Sequence, residues 1–331
     1  MIGSIGLLAA GFVALLVGAY VFTNAVEWAG VRLNLGHGAV GSVLAAVATA
    51  MPESLIPVVA IISGEQTGEI AIGAIIGAPF LLGTLAMAVI GVAALSFRGR
   101  RGRAGLEIDR RSVLRDLSVF LVFFALAVLL GLIGSRVVHI IVGIALVAAY
   151  IAYLWRTISA HRGEGDEEQP GHLFFDPSKG DPPTNLQVIA QIVVGIATIV
   201  GGAQLFVTEV ETLAHDLGIA ALVLALVLAP LASELPEKLN SVLWVRQAKD
   251  TLAVGNVTGA MVYQSMLPVA IGLAFTPWKL TSPAVAASLA ALAGGGLAIA
   301  VVLRGGRMRL PYVGTWILLY AGAVGFILTA E

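Results

Sequence analysis

The stretch Thr49-Ala50-Met51-Pro52-Glu53 decides how this chain is read. It lies inside an apolar run from Ala39 to Ile62, long enough to cross a bilayer, and it puts a proline and a carboxylate near the middle of that run. An ionisable side chain at membrane depth costs roughly 2.5–3.5 kcal/mol on insertion scales, so such a residue marks a functional position by default. A second stretch of the same kind, Ser233-Glu234-Leu235-Pro236-Glu237, follows 184 residues downstream. The rest of the chain reads as the scaffold that brings the two together.

Outside these stretches the composition is that of a membrane protein. Hydrophobic residues make up 58% of the chain and charged residues 12%, with a mean hydropathy of +0.95. The fold class expected is an all-α polytopic membrane protein of ten transmembrane helices, at about 3–28, 37–63, 69–96, 113–134, 137–157, 185–214, 217–245, 251–275, 282–303 and 310–330. The first apolar run is too long for a signal peptide and lacks a basic leader, so it is kept as a span. With no cysteine and only five scattered histidines, thiolate and zinc-type sites are excluded and oxygen ligands remain.

Threading the chain through these spans sorts its 19 basic residues sharply. Sixteen, among them the run Arg98, Arg100, Arg101, Arg103, Arg110, Arg111 and Arg115, fall in loops on one side. Only Arg136 and Lys279 fall opposite, and Lys238 lies within a span. The positive-inside rule makes the basic side cytoplasmic and puts both termini outside. The longest loop, with Gly163-Glu164-Gly165-Asp166-Glu167-Glu168 and Asp181-Pro182-Pro183, reads as a flexible cytoplasmic linker over 163–184. It separates a first five-helix unit, 1–162, from a second, 185–331. Its acidic run reads as solvated charge, with cation sensing as the alternative.

Laid over each other at the 184-residue offset, the two units share anchors in the same order. Gly18-Ala19-Tyr20-Val21-Phe22 falls on Gly202-Ala203-Gln204-Leu205-Phe206, Val26-Glu27 on Val210-Glu211, and Pro52-Glu53 on Pro236-Glu237. With a two-residue shift, Gly73 and Gly77 fall on Gly255 and Gly259. Because five spans separate equivalent points, the copies run in opposite senses, an inverted repeat of the kind secondary transporters use around a mid-membrane site. The prolines are expected to kink or break spans 2 and 7, and the glycine pairs to allow close approach of spans 3 and 8, either for packing alone or for a compact ion site.

These segments resemble the two signature regions of the sodium/calcium exchanger superfamily of cation/calcium antiporters. Each family region pairs a T-S-L-P-E-like segment with a G-N-x-x-G-S-N-like segment on the next helix. Here they read Ala48-Thr49-Ala50-Met51-Pro52-Glu53 with Gly73-Ala74-Ile75-Ile76-Gly77-Ala78-Pro79, and Ala232-Ser233-Glu234-Leu235-Pro236-Glu237 with Gly255-Asn256-Val257-Thr258-Gly259-Ala260-Met261. The resemblance puts the family's two ion-binding carboxylates on Glu53 and Glu237 and its first hydroxyl ligands on Thr49 and Ser233. The second hydroxyls fall on Ala50 and Glu234, the serines on Ala78 and Ala260, and the later amide or carboxylate on Leu82 and Gln264. Span 3 has thus lost its side-chain ligands, while span 8 keeps Asn256, Thr258, Gln264 and Ser265.

The metal-binding set this implies is Glu53, Glu237, Thr49, Ser233, Asn256, Gln264 and Glu234. Glu234 and Lys238, four apart on a helix, either pair with each other or leave Lys238 beside Glu237 as a built-in cation. The function implied is secondary antiport of calcium against sodium ions or protons by alternating access. The alternatives are a proton-coupled antiporter of another cation, or a non-transporting protein that keeps the scaffold. The partners expected are the lipid bilayer and inorganic cations, with no nucleic acid and no cofactor beyond the transported ions. No nucleophile–base pair or phosphate-cradling loop points to an enzyme.

Overall fold

The computed structural model describes residues 2–32, 51–64, 68–97, 106–160, 172–176 and 183–330. They form the helices α1 (Ile2–Arg32), α2 (Met51–Ser63), α3 (Gly68–Ser96), α4 (Arg110–Ile133), α5 (Arg136–Ala160), α6 (Asn185–Leu217), α7 (Ala221–Arg246), α8 (Asp250–Phe275), α9 (Ser282–Leu303) and α10 (Leu310–Thr329). Among the described residues, eight helices are long and apolar enough to cross a membrane, and α2 and α7 contribute the shorter apolar segments Glu53–Ser63 and Ala221–Leu231. The polar punctuation sets the ends. Asp109 caps α4 by accepting from the Arg111 N–H, Thr184 and Gln187 form a reciprocal capping box on α6, and Gly218 closes α6 in the left-handed conformation at φ 65°.

α1 and α6 pack against each other along their lengths, and four glycines make this possible. A Cβ on Gly18 would lie 2.8 Å from the Ile199 nitrogen and 3.1 Å from the Gly195 carbonyl. One on Gly202 would lie 2.8 Å from the Leu15 nitrogen and 2.9 Å from the Gly11 carbonyl. The helices are antiparallel, since Gly11 meets Gly202 and Gly18 meets Gly195. These contacts are reciprocal at the repeat offset: Gly11 is to Gly195 as Gly18 is to Gly202.

Part of the loop expected to be a flexible linker is docked onto this pair. Leu173 is buried with Ala25 and Val188. The fully buried Gln191 accepts from the Phe175 N–H at 3.0 Å and donates to the Val21 carbonyl and to Asn24 Oδ1, both at 2.9 Å. Leu173 drives the docking by burying its side chain, and Phe174, itself exposed, packs its ring against Tyr20 at 5.1 Å. The acidic run 164–168 lies outside the described residues.

α3 and α8 run through the centre of the molecule. α3 is buried without interruption from Ile70 to Leu81 and widens into one π-helical turn, Leu82–Ala86. There the Thr84 hydroxyl donates to the Phe80 carbonyl at 2.5 Å. The glycine pair of α3 does what its spacing implies: a Cβ on Gly73 or Gly77 would come within 2.6 Å and 2.3 Å of the Leu222 and Leu226 carbonyls of α7. Around Gly255 and Gly259, no described atom lies within 4 Å of an added Cβ. The repeat counterparts of Leu222, Leu226 and Pro230, which would pack against this pair, are residues 38, 42 and 46 and lie outside the described residues.

Of the kink or break expected in the second proline-bearing span, the break does not occur. α7 is helical from Ala221 to Arg246, straight through Pro230 and Pro236. Each proline only withdraws one N–H from a carbonyl four residues back, and packed neighbours compensate such a loss without ending a helix. At Pro230 the deprived carbonyl is that of Leu226, the same oxygen against which Gly77 packs.

Candidate functional site

α2, α7 and α8 meet where the intramembrane carboxylates lie. α2 is described from Met51, so Glu53 stands in its first turn; it is 5% exposed, and Ser54 beside it is also buried. Across from them on α8, Tyr263 shares a hydrogen bond between its hydroxyl and Ser54 Oγ. On α7, Glu234 is 1% exposed and accepts a hydrogen bond from the Gln264 amide of α8 at 3.2 Å. Tyr263 lies within electrostatic reach of both Glu53 and Glu234. Three helices thus deliver two carboxylates, two hydroxyls and an amide to one buried region. The amide orientation follows from the hydrogen-bond network.

The other expected site residues fall in three groups. Thr49 lies outside the described residues, as do the side chains of Ser233, Glu237 and Lys238, although their backbone is part of α7. The proposed pairing of Glu234 with Lys238 therefore has no described geometry; the described partner of Glu234 is Gln264. The register between α7 and α8 is antiparallel, with Glu234 opposite Gln264 and Ser241 opposite Asn256. Glu237 sits in α7 between those two levels.

Asn256 lies about 12 Å along α8 from Gln264, at ~1.5 Å per residue, and its amide donates to Ser241 at 3.4 Å. Thr258 faces away from α7, donating to Asp116 of α4 at 3.2 Å. Ser265 gives its hydroxyl to the Val262 carbonyl of its own helix at 2.8 Å. Of the polar residues that α8 keeps, Gln264 alone among these four contacts a described carboxylate of the site; Thr258 contacts a carboxylate of a different network.

That network joins α4, α5 and α8. Asp116, 5% exposed, accepts from Arg115 at 2.9 and 3.0 Å and from the Tyr153 hydroxyl at 2.8 Å, in addition to Thr258. The Arg115 guanidinium lies over the Tyr153 ring at 5.3 Å. Tyr150 stacks on Tyr153 and meets Tyr263 edge-on at 5.6 Å, which connects the network to the carboxylate region through packed rings.

Sequence reasoning missed Ser54, Tyr263 and Asp116. Signals for them existed. Asp116 is an ionisable residue inside an expected span, and prolines stand four residues after both Glu53 and Gln264, at Pro57 and Pro268. Neither proline can donate to the carbonyl of the site residue that precedes it. Among the described residues, no three His, Cys, Asp or Glu side chains converge to hold a metal ion.

Comparison with known proteins identifies a family and a fold. A family model described as "Sodium/calcium exchanger protein" matches residues 3–159 and 187–329. CaxA, a candidate antiporter of Alkalimonas amylolytica, is 26% identical over 130 residues, covering 39% of this chain and 41% of CaxA. A membrane protein of Methanocaldococcus jannaschii, MJ0091, is 23% identical over 275 residues, 83% of each chain. Among solved structures, the H+/Ca2+ exchanger CAX superposes with a TM-score of 0.68 at 16% identity, over 98% of this chain and 87% of its own. The exchanger NCX_Mj, soaked with Na+ and Sr2+, gives 0.59 at 21% identity over 97% of each chain. At these identities the structural likeness establishes the fold.

Proposed function

The chain belongs to the sodium/calcium exchanger protein family, and from that premise we propose that it exchanges Ca2+ for Na+ or H+ by alternating access at the α2/α7/α8 crossing. Its family is one of transporters, and it is a multi-pass integral membrane protein. The observation that carries the proposal is that two buried carboxylates from different helices lie beside adjacent residues of α8: Glu234 accepts from the Gln264 amide, and Ser54, next to Glu53, is hydrogen-bonded to the Tyr263 hydroxyl. The proposed binding set is Glu53, Glu237, Thr49, Ser233, Asn256, Gln264 and Glu234. The names of the two structural neighbours, one exchanging protons for calcium and one soaked with sodium and strontium, support a hard divalent substrate.

Calcium takes six to eight oxygens at roughly 2.3–2.6 Å, which carboxylates with neutral hydroxyl and amide oxygens can supply. Coupling follows from charge. Each uncompensated carboxylate at membrane depth costs roughly 2.5–3.5 kcal/mol, about a hundredfold in population, so a site holding neither calcium nor its replacements rarely changes face. Sodium ions or protons cancel the same negative charge, and occupancy by one ion therefore excludes the other.

The architecture proposed is ten spans in two inverted five-helix units, 1–162 and 185–331, joined at 163–184. Both termini are placed outside and the joining segment in the cytoplasm. The reciprocal contacts Gly11 with Gly202 and Gly18 with Gly195 support it, since a two-fold relation between the units requires such pairing. The glycine-lined α1/α6 pair is the element proposed to slide against the rest. Uptake of radiolabelled calcium into proteoliposomes under an imposed sodium or proton gradient tests the reading. Gradient-dependent uptake is expected, falling about a hundredfold in Glu53→Gln and Glu237→Gln. No flux under either gradient, or flux indifferent to both substitutions, would overturn it.

A further inference from the structure

Resting on that reading, we infer that the hydroxyl oxygens of Ser54 and Tyr263 are cation ligands of the site, replacing oxygens absent from α3. Where the resemblance expects polar groups on α3, this chain has Ala78 and Leu82, and both are buried in apolar packing. At these two positions α3 offers a cation no side-chain oxygen, and its buried Thr84 hydroxyl is given to the Phe80 carbonyl. The α2/α8 side carries what α3 lacks. Ser54 follows Glu53 directly, Tyr263 precedes Gln264 directly, and the two hydroxyls meet although they are 209 positions apart. Each is therefore one residue from a proposed ligand, on a different helix, with both carboxylates in electrostatic reach of the phenol.

The chemistry suits the role. A hydroxyl has one proton and two lone pairs. When one of the pair donates to the other, lone pairs remain on both oxygens that a cation can use. Neutral oxygens complete a calcium shell without adding charge beyond that of the carboxylates. The phenol is also held rigidly. Its ring is packed edge-on against Tyr150, which stacks on Tyr153, whose hydroxyl is fixed by Asp116. A ligand held this way loses little freedom on binding a cation.

The test compares Tyr263→Phe, Ser54→Ala and Ser54→Thr with the parent chain, each first checked for a monodisperse detergent-solubilised peak. Calcium binding is read by calorimetry with calcium chloride, and transport by the proteoliposome assay. Tyr263→Phe and Ser54→Ala are each expected to raise the calcium concentration for half-saturation about five- to tenfold. Ser54→Thr, which keeps the oxygen, is expected to restore parent affinity. If the hydrogen bond is only structural, both deletions lower stability and leave half-saturation unchanged, and that result overturns the inference while leaving the antiport reading intact. No calcium heat and no calcium flux in the parent would overturn the antiport reading and the inference with it.

Discussion

In the proposed inverted repeat α3 and α8 correspond to each other, and their chemistry differs sharply. α3 is apolar, buried all round and closed onto α7 through Gly73 and Gly77. α8 is buried just as deeply, yet it carries Tyr263, Gln264, Thr258 and Asn256, each hydrogen-bonded to another helix. In the proposed site one helix works as a wall and the other as the ligand holder. A repeat can therefore keep its backbone symmetry while its chemistry moves to one copy, because helix packing asks only for small residues at the crossings and is indifferent to where the oxygens are.

The largest effect that can break this contrast is steric. Gly77→Val would drive its side chain into the Leu226 carbonyl, which lies 2.3 Å from the position of an added Cβ, and into Pro230. Backbone cannot yield as a flexible side chain does, so a loss of about 3 kcal/mol is expected, seen as a collapse of the monodisperse peak on mild heating. Tolerance of valine there would mean that the wall is not closed.

A paired exchange of chemistry is the next test. Gln264→Leu removes the amide that contacts Glu234 and is expected to raise the calcium concentration for half-saturation about tenfold. Leu82→Gln puts an amide at the matching place on α3, where Leu82 is fully buried. It is expected to cost about 1–3 kcal/mol of stability and to leave half-saturation unchanged. Calcium titrations of both variants decide the matter. An affinity gain in Leu82→Gln would show that α3 faces the ions after all.

How much of this was readable follows from what each feature depends on. Long apolar runs depend only on local composition, so the expected spans at 69–96, 282–303 and 310–330 fall within a residue of α3, α9 and α10. The deep carboxylate Glu53 was legible for the same reason, a charge standing out against an apolar background. Gln264 came from motif position. The partnership of Ser54 with Tyr263, by contrast, is a contact between two helices remote in sequence, and each residue alone is an unremarkable polar group in an apolar run. The π turn of α3 and the docking of Leu173 depend likewise on neighbours that local pattern does not encode. Of the kink or break expected at Pro236, the break does not occur, because a proline's cost was read without the packing that absorbs it.

The smallest effect separates what anchors α8 from what makes it a ligand holder. Thr258 is tied to Asp116, which stands less than two turns into α4, so the start of α4 fixes one face of α8. That start is capped by Asp109, whose carboxylate accepts from the Arg111 N–H at 3.0 Å and the Ser112 hydroxyl at 2.5 Å. The Ser112 hydroxyl, above all, holds the Asp109 carboxyl below the usual carboxylate range. A carboxylate whose pKa is depressed on folding contributes stability that is present above its unfolded value and is lost as pH falls through the folded one. Asp109→Ala is therefore expected to cost about 1 kcal/mol near neutral pH, with the difference from the parent shrinking once pH drops below about 4. Calcium half-saturation should not move, because the cap supports the Thr258 face of α8 and Gln264 answers to Glu234 on the other. A change in half-saturation on losing the cap would mean that the two faces of α8 act as one unit.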